Sequence, residues 1–337
     1  MKRRILIGII LLTSVYYLQA QQLPQFSHRM LEKLTYNPAV AGSVLHPEIK
    51  LRHRSQWLGF TDNYNNPDNP NPTYGDYVGP TTQSLSYHNN VFDPNLGVGG
   101  FFMHDITGPL KRFIINLSTA YHIPTPIGFV GVGLGFNVMQ LSIDQAKIHL
   151  QNPNDPAIYE GGDIERGWNP EMSAGIYIYS HNYYIGYSAQ QLLGMEFNYD
   201  ISNLNTEDIA KMPLAMHHFI TAGYNFVSKD WNIEPSVLVS LAPGSPSQID
   251  FNLKAEYQDA LAGITYRLQD AAALLVGYRV GQFFFAYSAD VVLSNLRQAG
   301  ATSHEIMIAF EFPYYKGSRP MYDLKGYSRG QIRKRMR

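Results

Sequence analysis

The sequence predicts an all-β protein, a transmembrane antiparallel up-and-down β-barrel of about 14 strands with long loops at one end and short turns at the other. Three observations predict it: period-two alternation along most of the chain, connections that sort by length, and a composition poor in charge but rich in tyrosine. Alternation is clearest from Gln248 to Tyr287. There Ile249, Phe251, Leu253, Ala255 and Tyr257 interleave with Asp250, Asn252, Lys254 and Glu256, one face apolar and the other charged. After Gln258-Asp259 the pattern resumes with Ala262, Ile264, Tyr266 and Leu268. Strands joined by such short links run antiparallel. A soluble β-sandwich shows the same local alternation, so the longer-range observations decide between them.

Fourteen candidate strands follow the leader: Ile49–Phe60, Thr81–Asn89, Gly97–His104, Arg112–His122, Gly128–Met139, Met172–Ser180, Tyr183–Gln190, Met216–Phe226, Trp231–Leu241, Gln248–Tyr257, Leu261–Leu268, Ala271–Tyr278, Gln282–Ser288 and His304–Phe312. Odd-numbered connections are often long, as in Thr61–Pro80, Gln140–Glu171, Gln191–Ala215 and Ala289–Ser303. Even-numbered ones are short: Asn90–Leu96, Ile123–Ile127, His181-Asn182, Val227–Asp230, Gln258–Ala260 and Arg279–Gly281. Bacterial outer-membrane barrels sort their connections this way, with the long loops outside. A Greek-key sandwich has no reason to. An even strand count places both chain ends on the turn side, expected to be periplasmic, and closure removes edges that lipid would not tolerate.

Composition agrees with a membrane wall. Apolar residues make up 45% and charged residues 16%, the latter below the roughly 25% usual in soluble domains. The 24 Tyr, 17 Phe and 3 Trp suit a surface between lipid and water. Lys2, Arg3 and Arg4 precede an apolar run from Ile5 to Val15, and Leu18-Gln19-Ala20 ends in a small residue. Residues 1–20 therefore read as a secretory signal peptide cleaved before Gln21. Absence of cysteine excludes a lipoprotein anchor, disulfides and thiolate metal sites.

Residues 21–48 form a leader with little alternation, expected to be a plain loop, a small plug or a rim-binding segment. Its centre is Asn37-Pro38-Ala39-Val40-Ala41-Gly42, where Pro38 keeps Asn37 out of the helical region and Gly42 can take positive φ. Residues 49–312 form the barrel and 313–337 a basic tail. Of the 26 Lys and Arg, three lie in the first four residues and eight from Lys316 onward, leaving 15 against 26 of the 27 acids. The body is acidic, and nothing points to nucleic acid. The clustered cations of the tail, among them Arg333, Lys334, Arg335 and Arg337, suit either a basic end that aids solubility or a contact with an acidic partner surface.

Motifs for chemistry are missing: no Gly-x-Ser-x-Gly elbow, Walker loop or His-Glu-x-x-His run is present. His217-His218, His104-Asp105 and His304-Glu305 are adjacent on strands and so point to opposite faces, which disfavours chelation. Asp250, Glu256 and Glu311 fall on the polar face, where a solvated lumen would explain them. Gly131, Gly133 and Gly135 recur on one face and read as relief of crowding or sites of bending. No enzyme, cofactor or metal is expected. Loops around Asn65–Pro72 and Asn152–Pro156 resemble calcium-binding loops in composition only.

Several segments in order resemble one family. Gln25-Phe26-Ser27, Asn37–Gly42, Arg54-Ser55-Gln56-Trp57-Leu58-Gly59-Phe60, Pro80–Ser86, Gly97–Gly100, Asp105-Ile106-Thr107-Gly108-Pro109, Tyr183–Ser188, Pro235-Ser236 and Ser303–Met307 are similar to the signature of PorP/SprF membrane proteins of Bacteroidetes. The resemblance implies a barrel of the type IX secretion system, associated with a periplasmic ring of PorK-like lipoprotein and PorN-like protein. It also implies a link to secreted adhesin cargo and, in some species, to gliding. Candidate partner or structural residues are Asn37, Pro38, Gly42, Arg54, Gln56, Trp57, Asp105, Gly108 and Pro109. Trp57, near the outer end of the first strand, is expected at headgroup level, with outer-membrane lipid as its partner.

Overall fold

The computed structural model describes residues 23–44, 46–58, 79–90, 95–144, 164–200, 209–294 and 302–313. The expected signal peptide, the loops around Asn65–Pro72 and Asn152–Pro156, and the tail cations lie outside the described residues. After the leader come β1 (Glu48–Leu58), β2 (Thr81–Asn90), β3 (Leu96–Thr107), β4 (Leu110–Thr125), β5 (Gly128–Asp144), β6 (Ile164–Tyr179) and β7 (Tyr183–Gln190). The hairpin β8 (Glu196–Asp200) and β9 (Ile209–Pro213) follows, then β10 (His217–Tyr224), β11 (Phe226–Val227) and β12 (Trp231–Leu241). The chain ends through β13 (Gln248–Tyr257), β14 (Ala260–Arg267), β15 (Ala271–Val280), β16 (Phe283–Val292) and β17 (Thr302–Glu311).

Strands β1–β7, β10 and β12–β17, fourteen in all, pair antiparallel with their neighbours, and β1 pairs with β17 to close the barrel. β10 bridges β7 and β12, while β11 continues its line for two residues. No strand of the ring is left with an open edge, which is what backbone in lipid requires. Along each strand the two faces meet different surroundings. On β15, Leu274 is 66% exposed and Leu275 only 3%. Leu51, Phe102, Leu117, Phe251, Val276 and Ile306 lie on the outer face, and Lys50, Arg52, Ser86, Asp250 and Glu305 point inward and are buried. Near the turn side, Trp231 and Tyr257 stand 4.6 Å apart, ring centre to ring centre, on the outer face, as in an interfacial girdle.

Several expected boundaries need correction. Gln140–Glu171 is not wholly loop: β5 runs on to Asp144 and β6 starts at Ile164, in register to the Asp144–Ile164 pair. The alternation continues, with Met139 and Leu141 both buried on the inner face. The connection Gln191–Ala215 holds the β8–β9 hairpin, whose Phe197 is buried with Met139, Leu141 and Leu214. On the loop side, where connections are often rather than always long, β3 and β4 join through the tight Gly108-Pro109 turn. The ring begins at Glu48 rather than Ile49, and β16 extends to Val292.

Both ends of the ring, Glu48 and Glu311, lie on the turn side, as an even count demands. The leader before Glu48 does not stay there. It folds back into the lumen, so that Leu23 and Pro24 lie beside Gln190 and Gln191 at the loop-side end of β7.

Candidate functional site: the leader inside the lumen

The leader's path follows from its local chemistry. Asn37 is extended (φ −141°, ψ 110°) because Pro38 follows, and its Oδ1 accepts from the Ala39 N–H at 2.9 Å. That cap sets a 3-10 turn over Pro38–Val40, and an earlier one covers His28–Met30. Gly42, at φ +77°, turns the chain toward β1.

The wall is cut to receive this turn. A Cβ on Gly133 would run into the main chain of Ala39 and Pro38, and one on Gly175 would run into the Asn37 side chain. Gly131 and Gly133 of β5 therefore give clearance to a second backbone, while a Cβ on Gly135 would meet the Ser173, Asn116 and Ser118 side chains of the wall. His122 fixes the lower end: Nε2 lies 2.7 Å from the Ala41 carbonyl, which only accepts, so Nε2 carries the hydrogen. Nδ1 is left to accept from the Tyr179 hydroxyl at 2.9 Å.

Charges on the leader meet opposite charges on separate walls. Lys33 Nζ lies 3.3 Å from Glu234 Oε1 on β12 and 3.5 Å from the Tyr184 ring centre on β7. Lys254 Nζ on β13 contacts the other oxygen of Glu234 at 2.7 Å. Arg29 reaches Asp250 at 3.6 Å and donates to Ser240 Oγ at 3.2 Å. Glu32 accepts from Ser86 Oγ at 2.6 Å, with Lys50 at 3.7 Å. Burial alone would raise the Glu32 carboxyl, but Lys50, Arg52 and His88 overcome it and hold the group below its ordinary value. Higher up, Arg54 donates to Asp290 at 2.9 Å, Glu305 at 3.2 Å and Ser27 Oγ at 2.7 Å. The Ser27 N–H donates to Glu305 at 2.7 Å and its hydroxyl to Asp290. His28, Glu32, Leu34, Asn37, Ala39 and Ala41 are each at most 1% exposed.

The residues singled out in the sequence fall into three places. Asn37, Pro38 and Gly42 lie in the lumen, as does Arg54, whose guanidinium points inward instead of toward the outer rim. Gln56 and Trp57 sit at a bulge where the β1–β17 register shifts, the Gln56 N–H donating to Pro80 O at 2.8 Å. Trp57 is half-buried at φ +60°, its N–H donating to Ser303 Oγ at 3.3 Å. Asp105, buried, accepts from Thr82 at 2.7 Å and lies 3.6 Å from Arg112, near the Gly108-Pro109 turn, with Gly108 at φ +58°. The solvated lumen expected around Asp250, Glu256 and Glu311 gives way to paired carboxylates: Asp250 meets Arg29 and Arg267, Glu256 meets Lys254, and Glu311 meets Arg279. The sequence reading missed Ser27, His28, Arg29, Glu32 and Lys33. Their signal was indirect, in the inward charges at Arg52, Arg54, Glu234, Asp290 and Glu305, several of which pair with one another across the wall and still bond to the leader.

A family model described as "Type IX secretion system membrane protein PorP/SprF" matches residues 18–310, spanning the leader and nearly all of the ring. The chain belongs to the PorP/SprF family. As a closed barrel of that family it is an outer-membrane protein. No match was found among proteins with curated descriptions. Solved barrels are similar at low identity. A FadL homologue of Pseudomonas aeruginosa shares 11% identity over 82% of this chain and 93% of its own, with a TM-score of 0.46. Omp33 of Acinetobacter baumannii shares 7% over 80% and 99%, with a TM-score of 0.43. The KdgM porin shares 8% over 79% and 99%, with a TM-score of 0.37.

Proposed function

We propose that this PorP/SprF protein is a non-enzymatic scaffold of the type IX secretion system. It joins the periplasmic ring, through PorK-like and PorN-like partners, to the outer membrane, and supports secretion or surface attachment of adhesin or gliding cargo. The observation that carries the scaffold reading is the leader, which occupies the lumen and bonds to walls on opposite sides, from β1 and β17 to β12 and β13. A transport pore needs a continuous passage; a scaffold tolerates a plugged one. In this reading the turn side faces the periplasm, and the tail with Arg333, Lys334, Arg335 and Arg337 offers clustered cations to an acidic ring surface.

Planar-bilayer recording of the purified full chain tests it, paired with pull-down of ring lipoproteins from native membranes. The scaffold gives a closed trace and retains the ring proteins. Steady conductance without ring proteins would support a pore for small or hydrophobic ligands instead. Deleting Gln21–Pro47 should abolish secretion while leaving a folded barrel in the membrane, and normal secretion in that strain would remove the plug's role.

A further inference from the structure

Between the upper leader and the β3–β7 wall lies a cavity of about 40 Å³, on the loop side. Its floor is apolar, formed by Phe101, Met103, Ile114, Met139 and Phe219 against Phe26 of the leader. Arg29, Thr35, Asn137, Glu171 and Gln190 add polar groups to the lining, and Gln191 differs from them in holding an unsatisfied donor. Gln191 is 3% exposed; its Oε1 lies 2.8 Å from His217 Nδ1, while its Nε2 is buried with no hydrogen-bond partner among the described residues. Its backbone is also held at φ +59°, a left-handed conformation that glycine or asparagine adopts more readily. A buried amide donor left unpaired is costly, and a strained backbone persists only where its surroundings impose it. Neighbouring Glu171 makes no hydrogen bond to that donor. Its carboxylate oxygens take the Leu193 and Met195 N–H groups, at 3.1 and 2.9 Å.

Size and chemistry together select the ligand. The space is about three times the roughly 10–15 Å³ of cavity that one water needs but falls far short of the about 150 Å³ cavity that takes a benzene ring, so a long acyl chain does not fit. An apolar group of a few heavy atoms does fit, provided that a hydrogen-bond acceptor stands within a bond or two of it. The peptide unit of a residue with a short branched side chain supplies both. We propose that this cavity binds one short aliphatic side chain of an extended polypeptide, with the carbonyl beside it accepting from Gln191 Nε2. The site is stated from its own chemistry and does not rest on the secretion reading. The rim, made by the half-buried Leu23 and Pro24, gives the segment its entry.

The test uses the full chain in lipid nanodiscs, carrying ¹³C-methyl methionine and titrated with N-acetyl-leucinamide. Met103 and Met139 line the cavity, whereas Met30 and Met307 pack in a separate cluster and serve as internal references. Saturable shifts confined to Met103 and Met139 are expected. Ile114→Phe should fill the space and abolish them, and Gln191→Met, isosteric but without the donor, should weaken binding about fivefold. N-acetylglycinamide should not bind. Absence of saturable shifts would mean that the cavity holds only water, and overturns the proposal. Equal shifts from dodecanoate, or binding unchanged in Ile114→Phe or in Gln191→Met, would overturn it as well.

Discussion

The Ser27 main-chain N–H donates to the Glu305 carboxylate at 2.7 Å, tying the upper leader to the strand that closes the barrel. Arg54 stands in the same group, bonded to Ser27, Asp290 and Glu305 and 1% exposed. Removing one member of a buried ionic cluster leaves the others uncompensated, at a cost of about 3–5 kcal/mol. Arg54→Met should therefore lower the urea midpoint of the purified protein in detergent by an amount of that order. Replacing the acids too, in Arg54→Met/Asp290→Asn/Glu305→Gln, should restore most of the loss, because the neutral amides tolerate one another. A triple variant less stable than the single one would show that the cluster holds the barrel by its charges.

Gly133 lies under the 3-10 turn of the leader, and any Cβ there meets the main chain of Ala39 and Pro38. Gly133→Val suits a strand but evicts the turn. The barrel should still form, while trypsin cleavage at Arg29 or Lys33, negligible in the native protein, should rise at least about tenfold as the protected segment opens. Unchanged protection would mean that the leader is held without this contact.

What was legible in the sequence was local. Gln248–Tyr257 alternates from end to end, and β13 has those same limits. Beyond Met139 the pattern persists through Leu141 and Ile143, so the longer β5 was readable but was cut short at Gln140, whose neighbours Ser142 and Asp144 suggest a loop. The lumen contacts were not legible, because Ser27 and Glu305 are 278 residues apart and no periodicity links them. The glycines at 131 and 133 did mark the place, but spacing alone cannot tell a bend from a surface that another backbone touches.

Glu32 gives the leader a pH dependence of known sign. Its folded carboxyl lies below the ordinary value of 4.5 because Lys50, Arg52 and His88 outweigh its burial. A depressed folded value contributes stability that is present above the unfolded value and lost as pH falls from about 4.5 toward the folded one. Hydrogen exchange of residues 28–41 should accelerate over that acid range in the native protein. Glu32→Gln should exchange faster at neutral pH and show a smaller change on acidification. An identical acid response in both would assign the effect to other carboxylates.

The outer face makes the last prediction, and it separates lipid from lumen on one strand. Leu274 and Leu275 are neighbours in the middle of β15, the first 66% exposed on the outer face, the second 3% exposed toward Met30, Phe284 and Met307. An arginine at Leu274 must be carried into hydrocarbon, at about 2–4 kcal/mol near the bilayer midplane. Leu275→Ala instead opens a space beneath the leader, costing about 2–5 kcal/mol by lost packing. The two are told apart by solvent. In a detergent micelle, which deforms around a charge more readily than a bilayer, Leu274→Arg should recover much of its stability, whereas Leu275→Ala should lose as much as in lipid. Urea midpoints of both variants in vesicles and in micelles make the comparison. Equal penalties for Leu274→Arg in the two media would mean that this face of β15 does not meet lipid.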